Sequence, residues 1–186
     1  MDTFSLSNHF LLATPSTTDP IFRHALIYLC EHKKQGAMGI IINKPSDLGI
    51  MQLFEQIGLP VQHTSLKTGS VLFGGPVQFD HGFVLHTHPN KWQSSLTIGK
   101  DLVFTTSKDV LLAAAEGKGP DQLLVTLGYA GWAAGQLEKE LADNAWLTMP
   151  AAMDILFDVA ASQRYEVAMS RLGFDIMRLS HDIGYA

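Results

Sequence analysis

The sequence predicts an α+β fold in which strands outnumber helices and hairpins join many of the strands. Two hairpins carry most of this prediction, because β-rich segments at 25–30 and 38–42, and again at 95–98 and 102–104, flank short polar or glycine-containing turns. Helical periodicity is limited to short segments, and the regular strand–helix alternation of a doubly wound sheet is absent.

In the amino-terminal half, one helix is predicted among several strands. Met51, Phe54 and Ile57 recur at helical spacing, and Gly58 followed by Pro60 gives the stop signal. The strands are predicted at residues 10–13, 25–30, 38–42, 71–73 and 82–86, with a sharp bend at Gly74-Gly75-Pro76 before the last of them.

The carboxy-terminal half contains further helices. A helix over residues 110–115 is predicted to be capped by Thr106 or Ser107, with Asp109 in its first turn and Gly117 at its end. Residues 146–148 are predicted to form a further strand. Two helical stretches follow Pro150, one through Val159 and one ending before Gly173, and we expect the last dozen residues to be loosely ordered.

Residues 127–138 are the most informative stretch. A strand over 123–127 is predicted to pass through a glycine turn into an amphipathic helix that begins near Gly131. Gly128 and Gly131 allow positive φ or close backbone approach, and Gly135 is expected on a tightly packed helix surface. The spacing G-x-x-G-x-x-x-G differs from the G-x-G-x-x-G of dinucleotide sites, so a structural role is favoured over an anion cradle.

Composition limits the class of protein. The 186 residues suit a single domain, 1–186, and 46% hydrophobic with 17% charged residues excludes a disordered chain. The net charge of −5 disfavours direct nucleic-acid binding. Cys30 is the single cysteine and is expected to be a buried thiol in a reducing compartment. The amino terminus lacks signal-peptide features and no apolar run approaches membrane-spanning length, so we expect a cytoplasmic protein that does not associate with membranes.

The chemical motifs are incomplete. His86 and His88 have the spacing of two metal ligands on one strand face, and Asp80 or His81 could complete a site. Pro89 indicates that the strand has already ended there, so no metal is predicted. G-x-S-x-G and P-loop motifs are absent, Glu138 and Glu140 diverge by about 200° on a helix, and no cofactor is implied. The sequence therefore favours a non-enzymatic role and predicts no catalytic residue.

The helices after Pro150 could suggest a helix-turn-helix DNA reader. Their charge argues against it, because three arginines, Arg164, Arg171 and Arg178, are outnumbered by four acidic residues, Asp154, Asp158, Glu166 and Asp175.

Four segments together resemble the AlgH/YqgE family of uncharacterised bacterial proteins. They are Asp19-Pro20-x-Phe22 with Tyr28 to His32, Gly36 to Gly39 with Asn43-Lys44-Pro45, Phe73-Gly74-Gly75-Pro76-Val77, and Leu127 to Trp132 with Gly135 to Glu138. The resemblance implies an α+β fold whose bent, largely antiparallel sheet closes into a pseudo-barrel flanked by helices. It implies no known reaction, and the label of transcriptional regulator rests on the family name only.

Two functional hypotheses follow. The first is a regulatory or protein-interaction module with a protein partner, which suits the acidic charge and the absence of a catalytic set. The second is a small-ligand binder or enzyme whose pocket lies at the glycine-rich turn. Its candidate ligand-binding residues are Asn43, Gly74, Gly75, His86, Tyr129, Gly131, Trp132 and Gln136.

Overall fold

The computed structural model describes residues 4–60, 69–87 and 92–173. The chain divides into two compact units: a first unit of Met1–Asn43 with Gly131–Ala186, and a second unit of Lys44–Ala130. The strands are β1 (His9–Ala13), β2 (Leu26–Lys33), β3 (Gly36–Ile41), β4 (Pro45–Gly49), β5 (Ser70–Phe73), β6 (Val77–Thr87), β7 (Ser95–Ile98), β8 (Leu102–Thr105), β9 (Leu123–Ala133) and β10 (Trp146–Pro150). The helices are α1 (Ile50–Gln56), α2 (Asp109–Ala115), α3 (Gln136–Ala142), α4 (Met153–Phe157) and α5 (Arg164–Arg171).

The first unit is an antiparallel sheet of the order β10-β1-β2-β3 with α3, α4 and α5. Residues 10–13 of β1 and 26–30 of β2 are continuous apolar runs whose side chains are buried, as is usual for strands covered on both faces. The hydroxyl of Tyr165 on α5 donates a hydrogen bond to the Ala13 carbonyl at the end of β1. The last three residues of β9 also belong to this unit.

The second unit contains β4 to β8 and most of β9. Strand β6 pairs antiparallel with β8 and β9, β7 forms a hairpin with β8, and β5 pairs parallel with β9. Helices α1 and α2 contribute Phe54 and Val110 to a core that also buries Val71, Val84 and Val125 from the strands. These two helices thus cover the buried apolar residues of the strands.

The predicted α+β class with a largely antiparallel sheet and flanking helices is confirmed. Both predicted hairpins form, although β2 and β3 extend into the predicted polar turn and leave only Lys34 and Gln35 between them. Strand β4 is additional. The expectation that the last dozen residues are loosely ordered lies outside the described residues, as does His88.

The predicted start of the third helix near Gly131 is wrong, because β9 continues to Ala133 and α3 begins at Gln136. The strand continues because the backbone of β3 approaches it closely: a Cβ on Gly36 would lie 2.3 Å from the carbonyl oxygen of Trp132. Gly135 is the residue before the helix, with a left-handed φ of 76°, and it faces open space rather than the packed neighbour expected for it.

Two smaller expectations about helices are also corrected. Lys108 precedes α2 and no side chain caps it, because the Ser107 hydroxyl bonds to the Asp109 carboxylate instead of to the helix amides. Asp109 does lie in the first turn, as predicted. Helix α4 ends at Phe157, before Val159. Within the segments described, no helix combines the length and apolar character needed to span a bilayer.

Candidate functional site

In the second unit, the glycine turn between β5 and β6 meets the glycine of β9 backbone to backbone. The Gly74 amide donates to the Leu127 carbonyl at 2.7 Å. A Cβ on Gly75 would lie 2.2 Å from the Tyr129 carbonyl oxygen, and one on Gly128 would lie 2.2 Å from that of Gly75. Gly128 also has a left-handed φ of 74°. We call this contact the glycine crossing, and it explains the glycines by close backbone approach.

The glycine crossing leads directly into an exposed bulge at the start of β6. Val77 pairs with Tyr129 and Gly82 pairs with Leu127, so residues 78–81 stand opposite a single residue of β9. We call residues 77–82 the β6 bulge. Phe79 within it is 67% exposed, and the Cα of Phe79 lies 3.0 Å from where a Gly128 Cβ would be. The bulge therefore displays an aromatic ring above a closely packed base.

Two titratable residues follow Phe79 in the bulge. The Asp80 carboxylate is 2.8 Å from Nδ1 of His81, and both side chains are largely exposed. The hydrogen bond with His81 lowers the pKa of Asp80. Asp80 is therefore a carboxylate at neutral pH, and the bulge presents a negative charge beside its aromatic ring.

His86 is buried near the other end of β6. Its Nδ1 lies 2.9 Å from the Thr87 carbonyl oxygen and its Nε2 lies 2.8 Å from the Thr105 hydroxyl, so both ring nitrogens have internal partners. His86 is four residues from Gly82, or about 13 Å at the rise of a strand. This places its ring away from the glycine crossing within the second unit.

In the first unit, three candidate ligand-binding side chains make internal hydrogen bonds. Asn43 donates to the His24 carbonyl at 2.7 Å and accepts from the Leu26 amide at 2.8 Å. Gln136 accepts from the Ala133 amide and donates to Glu140. The Trp132 indole nitrogen also donates to Glu140, at 2.9 Å.

Glu140 is the shared hydrogen-bond partner of Trp132 and Gln136, and no local sequence pattern indicates its bonds to the tryptophans. Its Oε2 accepts from the indole nitrogens of both Trp132 and Trp146, whose rings meet edge to face at 6.1 Å. Gln136 lies one helical turn before Glu140, and this i,i+4 spacing is the sequence signal for part of the arrangement. We call Glu140, Trp132, Trp146 and Gln136 the indole network.

The candidate residues therefore fall into separate groups inside each unit. Gly74, Gly75 and Tyr129 meet at the glycine crossing, while Trp132 and Gln136 meet through Glu140, with Gly131 adjacent in β9. Gly36, at the start of β3, lies against Trp132 of the indole network. Asn43 lies seven residues after Gly36, just beyond the other end of β3. Roughly 20 Å of extended chain therefore separates Asn43 from the indole network. Ligand binding by these residues stays a prediction.

A second arrangement missed by the sequence analysis joins His32 of β2 to Glu138 of α3. The Nε2 atom of His32 lies 2.7 Å from Glu138 Oε1, and the Leu6 amide donates to Nδ1 at 3.0 Å. Hydrogen bonding by His32 lowers the pKa of Glu138. This pair resembles the histidine–carboxylate part of a catalytic triad, but the main chain occupies the nitrogen that would act as a base.

Other buried polar groups also have structural partners. Arg164 donates to the carbonyls of Val159 and Ile42, and burial lowers its pKa to about 10. The predicted buried thiol of Cys30 is confirmed, and burial raises its pKa. Among residues 4–60, 69–87 and 92–173, no three His, Cys, Asp or Glu side chains are grouped as a metal site would require.

Known proteins resemble this chain over its full length. The AlgH-like family model matches residues 10–177. A UPF0301 protein of Chromobacterium violaceum is 58% identical over 186 residues, which is 100% of both chains, and one of Thiobacillus denitrificans is 49% identical over the same length of each.

Two solved structures are similar as well. The solution structure of the AlgH protein from Pseudomonas aeruginosa has a TM-score of 0.80 at 45% identity, covering 100% of this chain and 98% of that one. The crystal structure of protein DIP2367 from Corynebacterium diphtheriae has a TM-score of 0.71 at 21% identity, with 91% and 88% covered, and shares the fold.

Proposed function

The chain belongs to the AlgH-like family, and from this premise we propose that it is a regulatory protein-interaction module of the bacterial cytoplasm. We further propose that its two units act as one domain, since the family model extends across both. The single observation that carries the interaction role is the exposed aromatic ring of Phe79 on the β6 bulge.

Phe79 has the properties of an interface anchor. A phenylalanine that is 67% exposed contributes little to the core, whereas aromatic side chains are enriched at the centres of protein interfaces. Val77 in the same bulge is also more than a third exposed. The glycine crossing beneath the bulge restricts its backbone, so less conformational entropy is lost on binding than for a free loop.

The charge of the bulge indicates the chemistry of the partner. Asp80 is exposed directly beside Phe79, and the whole chain carries −5. A partner protein with an apolar pocket bordered by lysine or arginine would match both features and would be steered toward this surface. Two copies of this chain would instead bring like charges together.

Several further observations favour a protein partner over nucleic acid. Of the arginines in a potential DNA-reading helix pair, Arg164 is buried on main-chain carbonyls and Arg171 is bonded to both carboxylate oxygens of Asp154. The Arg164 guanidinium is therefore not available for phosphate contacts, and the charge of Arg171 is balanced by Asp154. The cytoplasmic assignment is supported by the unpaired thiol of Cys30.

A comparison of exposed apolar residues tests the interaction role. Tagged wild-type protein, Phe79→Ala and the control Leu112→Ala, which removes another exposed apolar side chain of the second unit, would be used for quantitative affinity purification. Both substitutions should leave the free energy of unfolding within about 0.5 kcal/mol of wild type.

We expect wild type and Leu112→Ala to recover the same basic protein in similar amounts. The amount recovered with Phe79→Ala should be at least tenfold lower, which corresponds to about 1.4 kcal/mol of binding free energy. Titration with the purified partner would then show the same ratio of Kd values. Identical recovery by Phe79→Ala and wild type would refute the proposal, and so would equal losses in the two variants.

Small-ligand binding is the second candidate function, favoured by one observation. The Thr126 hydroxyl is buried beside Gly74 and has no hydrogen-bond partner among the described residues. Such a group is costly unless something bonds to it. A thermal-shift screen should therefore find a compound that raises the Tm of wild type but not of Thr126→Val. Equal shifts in both proteins would exclude Thr126 from binding.

A further inference from the structure

Strand β6 is longer than the strand that pairs with it on the side opposite β9. Its pairing with β8 ends where Val84 meets Thr105, so the β6 bulge has no β8 residue beside it. All the residues of the bulge, 77–82, are exposed. We call the side of these residues that faces away from β9 the open edge.

The main-chain groups of Gly82 point toward the open edge. Successive residues of an antiparallel strand direct their N–H and C=O groups to alternate neighbours. The Thr87 amide donates to the Gln122 carbonyl, so Thr87 faces β9, and the register with β9 is unbroken as far as Gly82. Gly82 lies five residues before Thr87 and therefore faces the other side. Among the described residues, neither its N–H nor its C=O has a hydrogen-bond partner.

The ring of Phe79 and the main chain of Gly82 are close enough to contact one ligand. They are three residues apart, which is at most about 10 Å along an extended strand. The glycine crossing restricts the backbone here, because a Cβ on Gly128 would lie 3.0 Å from the Cα of Phe79. The ring and the unpaired N–H are thus placed relative to each other before a ligand binds.

The charge of the open edge favours one kind of strand as its ligand. Exposed sheet edges pair readily with other strands, and charged residues limit such pairing between copies of one chain. The Asp80 carboxylate is exposed in the bulge, so a second copy would bring like charges close together, whereas a strand with lysine or arginine would be attracted. Strand β7 is also an outer strand of the second unit, but Ser95–Ile98 contains no charged or aromatic residue.

We propose that the open edge binds an extended, basic segment of a partner protein by strand addition. The segment would continue the line of β8, with its main chain bonded to the N–H and C=O of Gly82. Its apolar side chains would cover Phe79, and a lysine or arginine would lie near Asp80. This inference rests on the interaction role proposed for the β6 bulge and adds the form in which the partner is recognised.

Selection from a peptide library tests the strand addition. Short random peptides displayed on phage would be selected on the purified wild-type protein, and the enriched peptides would be synthesised for isothermal titration. Main-chain bonding accepts many sequences, so we expect peptides to be enriched. They should be rich in lysine or arginine, because Asp80 attracts positive charge.

Two proline substitutions locate the edge that binds. Gly82→Pro removes the N–H at the open edge, and Gly82 has no positive φ that would exclude proline. Thr97→Pro is the matched control, because Thr97 of β7 points its N–H away from β8 in the same manner. We expect Gly82→Pro and Phe79→Ala each to raise the Kd of the peptides about tenfold. Thr97→Pro should leave the Kd unchanged.

Methylated peptides give a second measurement that needs no change in the protein. N-methylation of alternate residues removes the N–H groups on one side of an extended peptide. One of the two alternate sets should therefore abolish binding to wild type, and the other should not. Circular dichroism would check that the two proline variants are folded.

The outcomes distinguish the strand addition from the interaction role. If folded Gly82→Pro bound the peptides as tightly as wild type, or if both methylated sets acted equally, the strand addition would be wrong, while a loss with Phe79→Ala would still support the interaction role. A loss with Thr97→Pro would place the peptides on β7 and overturn the proposal. Failure to enrich any peptide would overturn it too, as would protection of the Gly82 amide from exchange that rises with protein concentration alone, because a second copy would then occupy the edge.

Discussion

The glycine crossing of the second unit and the indole network of the first unit both take residues from the stretch 127–140 but are built in opposite ways. At the crossing, Gly75 and Gly128 bring two backbones into contact with no side chains between them. In the network, the Glu140 carboxylate holds two large buried indoles by their nitrogen atoms. One relies on missing side chains and the other on a specific polar one.

This difference predicts how each region responds to change. A close backbone contact tolerates no added atom, because the main chain on the other side cannot move without breaking its strand pairing. A side-chain network loses individual hydrogen bonds and can retain part of its stability. Substitutions in the two regions should therefore differ in size and in what they disturb.

Gly128→Ala should have the largest effect. Its Cβ would lie 2.2 Å from the Gly75 carbonyl oxygen and 3.1 Å from that of Val77, and the residue has positive φ. We expect a loss of at least about 4 kcal/mol in the free energy of unfolding, or failure to fold. Urea denaturation measures it. If the substitution cost less than about 1 kcal/mol, the crossing would have to be much looser than described.

Glu140→Ala should have an intermediate effect. It leaves the indole nitrogens of Trp132 and Trp146 without their acceptor, although both side chains are only 7% exposed, so we expect a loss of about 2–3 kcal/mol. Glu140→Gln keeps an acceptor oxygen and should lose about half as much. Urea denaturation and near-UV circular dichroism of the tryptophans would measure both.

Lys139→Ala is the control for Glu140→Ala, because it alters an exposed neighbour on the same helix. It should change the free energy of unfolding by less than about 0.5 kcal/mol and leave the tryptophan signal unchanged. If Glu140→Ala, Glu140→Gln and Lys139→Ala all reduced the free energy of unfolding equally, the cause would be a general loss of helix stability rather than the loss of hydrogen bonds to the indoles.

The two regions also show what the sequence could predict. Strands β1, β2 and β3 were predictable because each contains a short apolar run that is buried: 10–13 in β1, 26–30 in β2 and 39–41 in β3. Strand β4 was not, because Pro45–Gly49 is largely polar and begins with proline. The sequence indicates positive φ or close approach at Gly128 and a bend at Gly74-Gly75, but it does not indicate that they meet, because they lie more than fifty residues apart.

The contacts of the candidate sites were also not predictable, because they join residues that are distant in sequence. His32 and Glu138 are 106 residues apart, and no local pattern indicates their hydrogen bond. Trp132 and Gln136 are predicted ligand contacts, yet their polar atoms are bonded to Glu140. A helix that started at Gly131 would have placed Glu140 differently. The β6 bulge was missed because strand pairing, rather than composition, determines which residues stand outside the ladder.

Gly135→Ala should reduce stability less than Gly128→Ala or Glu140→Ala. It also separates the two reasons for a glycine at position 128, which are positive φ and close approach of another backbone. The two glycines have nearly the same φ, 76° and 74°, but a Cβ on Gly135 would meet nothing within 4 Å. Only the left-handed backbone opposes the alanine, so we expect a loss of about 1 kcal/mol. The excess cost of Gly128→Ala over this value then measures the backbone contact alone. Equal losses at the two positions would assign the role of Gly128 to its φ and remove the close approach to Gly75 as the reason for a glycine there.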